Sequence, residues 1–450
     1  MMAKVRSQFV CQQCGASFSK WAGRCENCGE WNSLVEQVVS SGGSSVVDKS
    51  AGRGKALKTS SIREAASESG LERLSTGIDD LDTVLGGGFL VGGVVLVAGQ
   101  PGIGKSTLLA QVAAHIAKSK SVLYVSGEES VSQVKLRAKR LGAADSEKMQ
   151  LASSNSAEDI AASIQQGGYD LAIVDSVQTI SLSEISSAPG SVSQITNSSN
   201  VIIRAAKASG TAVILVGHVT KEGSIAGPKI LEHLVDVVLN FEGDRYGGFR
   251  VVRAQKNRYG STNEAAIFEM DEQGLRIVKN PSAELLAERQ NLDGSIVLAT
   301  MEGARPLLVE IQALVNPTNF GYPKRTASGF DLNRLNLLVA VLEKRTKLKL
   351  ADKDIYVNVV GGLKLNDPAA DLAVAMAIAS ASAGRSLDEG AVVFGEIGLG
   401  GEIRSATNWQ ARIKEAKKLG FTYAIAPKVH KDKFIKGVSD MRQALIDYLQ

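Results

Sequence analysis

At 450 residues the chain has room for roughly two or three domains, each with a core of its own. An apolar fraction of 44%, a charged fraction of 22% and a formal charge of +4 exclude a disordered polyelectrolyte and a globally basic nucleic-acid binder. Any nucleic-acid binding must then use local patches. No apolar run approaches the ~20 residues of a membrane span, and the N-terminus lacks the apolar core of a signal peptide. A cytoplasmic protein with no membrane contact is expected.

Residues 1–35 hold all four cysteines, in the spacing C-x2-C-x10-C-x2-C (Cys11, Cys14, Cys25, Cys28), and two of the three tryptophans, Trp21 and Trp31. Each C-x2-C knuckle aims two thiolates at one tetrahedral cation, and four thiolates suit structural Zn²⁺. So short a segment cannot build a sufficient core, so the metal would supply much of its folding energy. Residues 36–70 read as a flexible linker: nine serines and five glycines fall within 40–70, with almost no large apolar side chains.

From 71 to 275, apolar strands alternate with helical patterns. Strands are expected at 94–98, 122–125, 171–174, 212–216 and 235–241, which predicts a largely parallel sheet covered by helices. "FRVVRAQ" and "AAIFEM" read as a closing antiparallel pair. "GQPGIGKST" follows the first strand and opens a helix. Its Gly99, Gln100, Pro101, Gly102, Ile103, Gly104, Lys105, Ser106 and Thr107 form a loop whose backbone N–H groups wrap the phosphates of ATP. Lys105 is expected on the β/γ-phosphates and Ser106 on Mg²⁺, with Asp175, at the end of "LAIVD", as the second Mg²⁺ residue. Glu128 and Glu129 follow "VLYVSG" at the same sheet edge, where a carboxylate can orient the attacking water. Glu128 is favoured because it comes first. His218, at the end of another strand, is a candidate γ-phosphate sensor.

A basic turn follows at Lys256, Asn257, Arg258, Tyr259 and Gly260. Between Asp244 and Gly260 there are five cations against one acid. Read on its own, the turn is either a solvated loop or a site for anions. Residues 276–292 read as a charged connector, and 293–450 as a second α/β domain.

"LSTGIDDLDTVLGGG", the phosphate loop, "SGEES", "VDSVQT" and "KNRYG" together resemble the bacterial RadA (Sms) family of RecA-related DNA repair ATPases, over nearly the whole chain. Tyr259 stands where that family usually has phenylalanine. The resemblance implies an α/β fold with a RecA-like P-loop ATPase core, an N-terminal zinc ribbon and a Lon-protease-like (ribosomal S5 domain 2-like) C-terminal domain. It implies DNA-dependent ATP hydrolysis in recombination and repair, promoting branch migration or strand-exchange extension. Single-stranded and branched DNA and the recombinase RecA are the implied partners, with a homo-oligomer, a hexameric ring favoured. Lys256 and Arg258 become candidates for contacting a neighbouring subunit's ATP, with DNA contact as the competing role. The segments after Asp175 and His218 fall where RecA has DNA-facing loops, and the second supplies Lys221 and Lys229. "STGIDDLD" also resembles the ATP-switch protein KaiC, which leaves a non-motor switch as the alternative.

"VNVVGGLKLNDPAADLAVAMAIASA" followed by "VVFGEIGLGGEIRSATN" resembles the proteolytic domain of Lon. Ala369 occupies the place of Lon's serine, and the lysine's place falls near Ile403 and Arg404. That implies a domain without the catalytic dyad. An ATP-dependent protease is therefore disfavoured.

Overall fold

The computed structural model describes residues 6–12, 16–39, 61, 72–141, 146–218, 230–243, 248–318 and 321–449. Cys14, Lys221 and Lys229 lie outside them. Strands β1 (Arg6–Cys11), β2 (Ser17–Phe18) and β3 (Leu34–Val39) form an antiparallel sheet in the order β2-β1-β3. Its interior is small: Cys11, Cys25 and Leu34 are buried, with Phe9, Phe18 and Ala22 packed against them.

The ATPase core runs β4 (Arg73–Leu74), α1 (Asp79–Leu85), β5 (Phe89–Leu90), β6 (Val94–Gly99), α2 (Lys105–Ile116), β7 (Val122–Ser126) and α3 (Val131–Arg140). It continues with β8 (Met149–Ser153), α4 (Ala157–Gln166), β9 (Leu171–Asp175), α5 (Val192–Ser209), β10 (Ala212–His218), α6 (Ile230–Leu234) and β11 (Val237–Gly243). β12 (Arg250–Asn257), β13 (Ala265–Asp271) and β14 (Gly274–Ile277) complete it. The nine-stranded sheet has the order β14-β13-β12-β11-β6-β10-β9-β7-β8. β11, β6, β10, β9, β7 and β8 are parallel and the last three strands antiparallel. The unbroken apolar runs of β6 and β9 follow from burial on both faces. Alternate residues of each feed two clusters, Val95 and Val97 on one side and Val94 and Leu96 on the other. The expected strands all form. β8 went unanticipated, because its exposed polar residues give "MQLAS" little apolar signal.

The C-terminal domain opens with α7 (Pro281–Leu286), inside the expected connector. β15 (Ser295–Glu302), β16 (Arg305–Pro317), β17 (Arg325–Ser328), α8 (Leu332–Thr346) and β18 (Lys353–Val359) follow. A 3-10 turn at Pro368–Ala370 leads into α9 (Asp371–Ala383). Beyond it come β19 (Ala391–Val393), β20 (Glu396–Ile397), β21 (Ile403–Arg404), α10 (Trp409–Lys418), β22 (Tyr423–Pro427), β23 (Ile435–Val438) and α11 (Met441–Leu449). Seven strands make its sheet, β17-β18-β16-β15-β19-β22-β23. α9 is buried on every side from Asp371 to Ser380, as an apolar helix without a polar stripe must be.

β12 and β13 belong to both domains. Val252, Ala254, Ala266 and Phe268 pack into the ATPase cluster. Phe249, Val251, Ala265 and Ile267 pack into the C-terminal cluster. The two-residue period of a strand sends successive side chains to opposite faces, and here each face has a different domain over it.

Candidate functional site

The nucleotide-binding candidates converge because the parallel strands all deliver their C-terminal ends to one edge. The register puts His218 of β10 opposite Gly99 of β6, and Asp175 of β9 opposite Val216 of β10 and Ser126 of β7. Gly104, the residue before α2, has φ +114, which a residue with a Cβ rarely adopts. Lys105 is buried, and its Nζ donates to the carbonyls of Gly99 at 2.8 Å and Gln100 at 3.0 Å. Ser106 and Thr107 follow, half-buried, in the first turn of α2. The buried Arg250 of β12 holds the loop from the other side, donating from Nε to the Ile103 carbonyl at 2.9 Å. In the sequence, Arg250 stood out only as one cation of the basic run.

His218 joins the two sides of this site. Its Nδ1 lies 3.1 Å from Lys105 Nζ, and its Nε2 lies 3.5 Å from Glu128 Oε1. An ammonium can only donate, so Nδ1 accepts and the ring proton sits on Nε2, facing the carboxylate. Glu128 Oε1 also accepts from Ser176 Oγ at 2.5 Å. Glu129 is engaged differently, by an ion pair with Arg137 of α3. The two neighbouring glutamates therefore face different partners, and Glu128 is the one linked, through His218, to Lys105.

Asp175 is buried, and its Oδ2 accepts from Tyr124 Oη at 2.7 Å. Burial, and then the charge of Asp175, push the Tyr124 hydroxyl well above the usual tyrosine value. The phenol therefore keeps its proton and orients the carboxylate. A hydroxyl at Ser106 and a carboxylate at Asp175 are the hard oxygen donors that Mg²⁺ takes. The peptide bond after Asp175 is cis.

In the ribbon, the sulfurs of Cys11, Cys25 and Cys28 all lie within 4.8 Å of one another. The Cys11 and Cys28 sulfurs are 3.6 Å apart, close to the ~3.8 Å edge of a tetrahedron with Zn–S bonds of about 2.3 Å. The donor set fits zinc. Trp21 and Trp31 are both largely exposed and flank Gly23, and the Arg24 guanidinium lies over the Trp31 ring.

The KNRYG turn lies at the other end of the sheet. Lys256 pairs with Val238, which pairs with Leu96, and Arg258 N donates to the Asp236 carbonyl. Lys256 lies level with Leu96, three residues short of Gly99, and Arg258 further along at the level of Asp236, so both cations sit at the opposite end of β12 from Arg250 and its contact with the phosphate loop. Lys256 Nζ caps α6, donating to the carbonyls of Glu232 at 2.7 Å and Val235 at 2.8 Å. Burial, and then Arg258 nearby, lower its pKa. Arg258 is half exposed and 3.3 Å from the buried Asp236. Asn257 donates to the Val84 carbonyl at 3.1 Å. The turn closes on α1 through glycine: a Cβ on Gly260 would stand 3.0 Å from Gly86 Cα.

In the C-terminal domain the DPAA turn is built around a cation that the sequence did not single out. Arg404, beside the expected lysine position, is exposed and paired with Glu402 at 2.6 Å. The cation that reaches the DPAA turn is Arg412 of α10. It is fully buried, and its Nη1 donates to Asp367 Oδ2 at 2.6 Å and to the Ala299 carbonyl at 2.7 Å. Asp367 Oδ1 accepts from Ala369 N at 3.0 Å. Although burial pushes the Asp367 carboxyl up, the Arg412 hydrogen bond and charge lead the effects that leave it below the usual range. The distance along the chain between Arg412 and the turn hid this contact from sequence reading.

Among the described residues no helix is long and apolar enough to cross a membrane. Three family models match the chain: an AAA domain over 63–224, a rubredoxin metal binding domain over 9–36, and subunit ChlI of Mg-chelatase over 336–430. The solved RadB recombinase is 24% identical, covering 46% of this chain and 100% of its own, with a TM-score of 0.37. The DNA repair protein RadA of Bacillus subtilis (strain 168) is 46% identical over 99% of this chain and 99% of its own. RadA of Pseudomonas aeruginosa is 47% identical over 95% of this chain and 94% of its own. At 46–47% identity over nearly the whole of both chains, and with a zinc-ribbon cysteine cluster, a phosphate-loop ATPase core and a Lon-like C-terminal domain of its own, the chain belongs to the RadA family of DNA repair proteins.

Proposed function

We propose that this protein is a DNA-dependent ATPase that assembles into a ring, a hexamer favoured, and drives branch migration on recombination intermediates made with the recombinase RecA. The observation that carries this reading is the placement of the two cationic sites on one strand. β12 holds its own phosphate loop through Arg250 and ends in KNRYG, at the opposite end from that contact. A cation so placed is suited to phosphates on another molecule.

Arg258 is the better candidate for a neighbour's ATP, because it is half exposed while Lys256 is spent on the carbonyls of α6. An arginine delivered from a neighbour stabilises the charge developing on the transferred phosphoryl only when that neighbour is correctly seated. Within each subunit Lys105 grips phosphate, Glu128 orients water and His218 links the two. Ser106 and Asp175 would hold Mg²⁺, which supplies charge neutralisation on the phosphate oxygens. DNA contact is assigned to the loop after Asp175 and to Lys221 and Lys229, through phosphates and without sequence reading. The C-terminal domain is read as a non-proteolytic platform, since Ala369 offers no nucleophile and the Arg412 guanidinium cannot act as a base. The cytoplasm, with its DNA, is the place for such an activity.

The test is steady-state ATP hydrolysis with and without single-stranded DNA, together with branch extension from a three-strand intermediate formed by RecA. DNA should stimulate hydrolysis, with an effect that falls steeply as salt rises. Turnover indifferent to DNA, with no branch extension, would return the protein to a non-motor ATP switch.

A further inference from the structure

The turn from Glu302 to Arg305 joins β15 to β16 of the C-terminal domain, yet it ends against the ATPase core. Arg305 Nη1 donates to Asp80 Oδ2 of α1 at 2.9 Å, and its Nη2 to the Lys279 carbonyl at 2.9 Å. Glu302 Oε1 pairs with Arg253 Nη2 of β12 at 2.9 Å, three residues before Lys256. Ala304 N donates to the carbonyl of Asn263, in the loop that follows KNRYG. Gly303 has φ +61, and a Cβ there would overlap that same carbonyl. Glycine alone lets the two backbones come so close.

The basic turn is therefore clasped from two sides. Its own core holds it through Asn257 and the Gly86–Gly260 approach. The C-terminal domain holds it through Arg253 and Asn263. We propose that Glu302, Gly303 and Arg305 are positioning residues for Arg258, so that the docking of the C-terminal domain sets where the trans cation stands. This rests on the reading of Arg258 as a neighbour's phosphate contact.

The experiment uses the full-length protein carrying Gly303→Ala, Glu302→Gln or Arg305→Ala. Amide hydrogen exchange over 258–264 reads the clasp directly, and ATP turnover with DNA reads its consequence. The single variants should speed exchange in that segment by roughly tenfold or more while the P-loop helix keeps its protection. They should lower kcat by about tenfold, with nucleotide affinity within about twofold of wild type. Unchanged exchange at 258–264 in Gly303→Ala overturns the proposal. So does wild-type kcat in all three variants when Arg258→Ala is inactive. If Arg258→Ala turns over normally, the trans reading fails instead, and the exchange result alone then decides whether the clasp exists.

Discussion

His218 stands between Lys105 and Glu128, with Nδ1 toward the ammonium and Nε2 toward the carboxylate, so in the proposed mechanism a single ring links the phosphate grip to the water-orienting acid. That geometry separates two substitutions. Glu128→Gln should keep nucleotide binding and lose turnover by roughly 10²-fold or more, the range of a positioned general base. Lys105→Ala should lose binding itself, because the ammonium grips phosphate already in the ground state. Titration with a fluorescent nucleotide and steady-state phosphate release distinguish them. Normal hydrolysis by Glu128→Gln would move water positioning elsewhere. Glu129, tied to Arg137, is poorly placed to inherit it. The adjacency of two acids was legible in the sequence. Chain order favoured Glu128, but the partners that separate the two acids, Ser176 and His218 for Glu128 and Arg137 of α3 for Glu129, come from distant elements and were not legible. Tyr124 was equally hidden: it reads as one more apolar residue of β7 until its hydroxyl meets Asp175.

The ribbon has too few buried side chains to stand on apolar packing alone, with Cys11, Cys25 and Leu34 at its centre. Metal binding must then supply its folding energy. A strong chelator, or Cys25→Ser, should release about one zinc per chain and abolish the β1–β3 sheet. The melting transition of the ATPase core should stay in place. Metal analysis and circular dichroism check this, and protein purified without chelator but lacking stoichiometric zinc would refute it. Elements of this kind were open to sequence reading because spacing is local: two knuckles, a phosphate loop between strand and helix, a two-residue apolar period. The C-terminal domain shows where locality ends. Asp367 caps the helical turn locally, its side chain accepting from Ala369 N two residues on. Its partner Arg412 comes from α10, across the domain, and no short-range pattern announces it. Lys256 is another such case, a cation of a basic turn that proves to cap α6.

For the whole molecule, a trans cation predicts complementation. A Lys105→Ala subunit keeps Arg258 for its neighbour, and an Arg258→Ala subunit keeps its own phosphate loop. Mixtures of the two nearly inactive variants should regain part of the DNA-stimulated turnover at the boundaries that pair an intact loop with an intact Arg258. The measurement needs saturating DNA, low salt and a fluorescence assay proving subunit exchange, so that weakened DNA binding is not mistaken for a lost cation. With exchange shown, no recovery would send KNRYG back to DNA contact or to a simple turn. The shared strands β12 and β13 carry one more consequence. Phe249, Val251, Ala265 and Ile267 are covered only because the C-terminal domain lies over them. A chain stopped near residue 275 would present that apolar face to water, where it invites aggregation. The ATPase core and the domain after it should melt as a single cooperative unit. An inactive truncation would thus report an uncovered sheet, and would carry no information about what the missing domain binds.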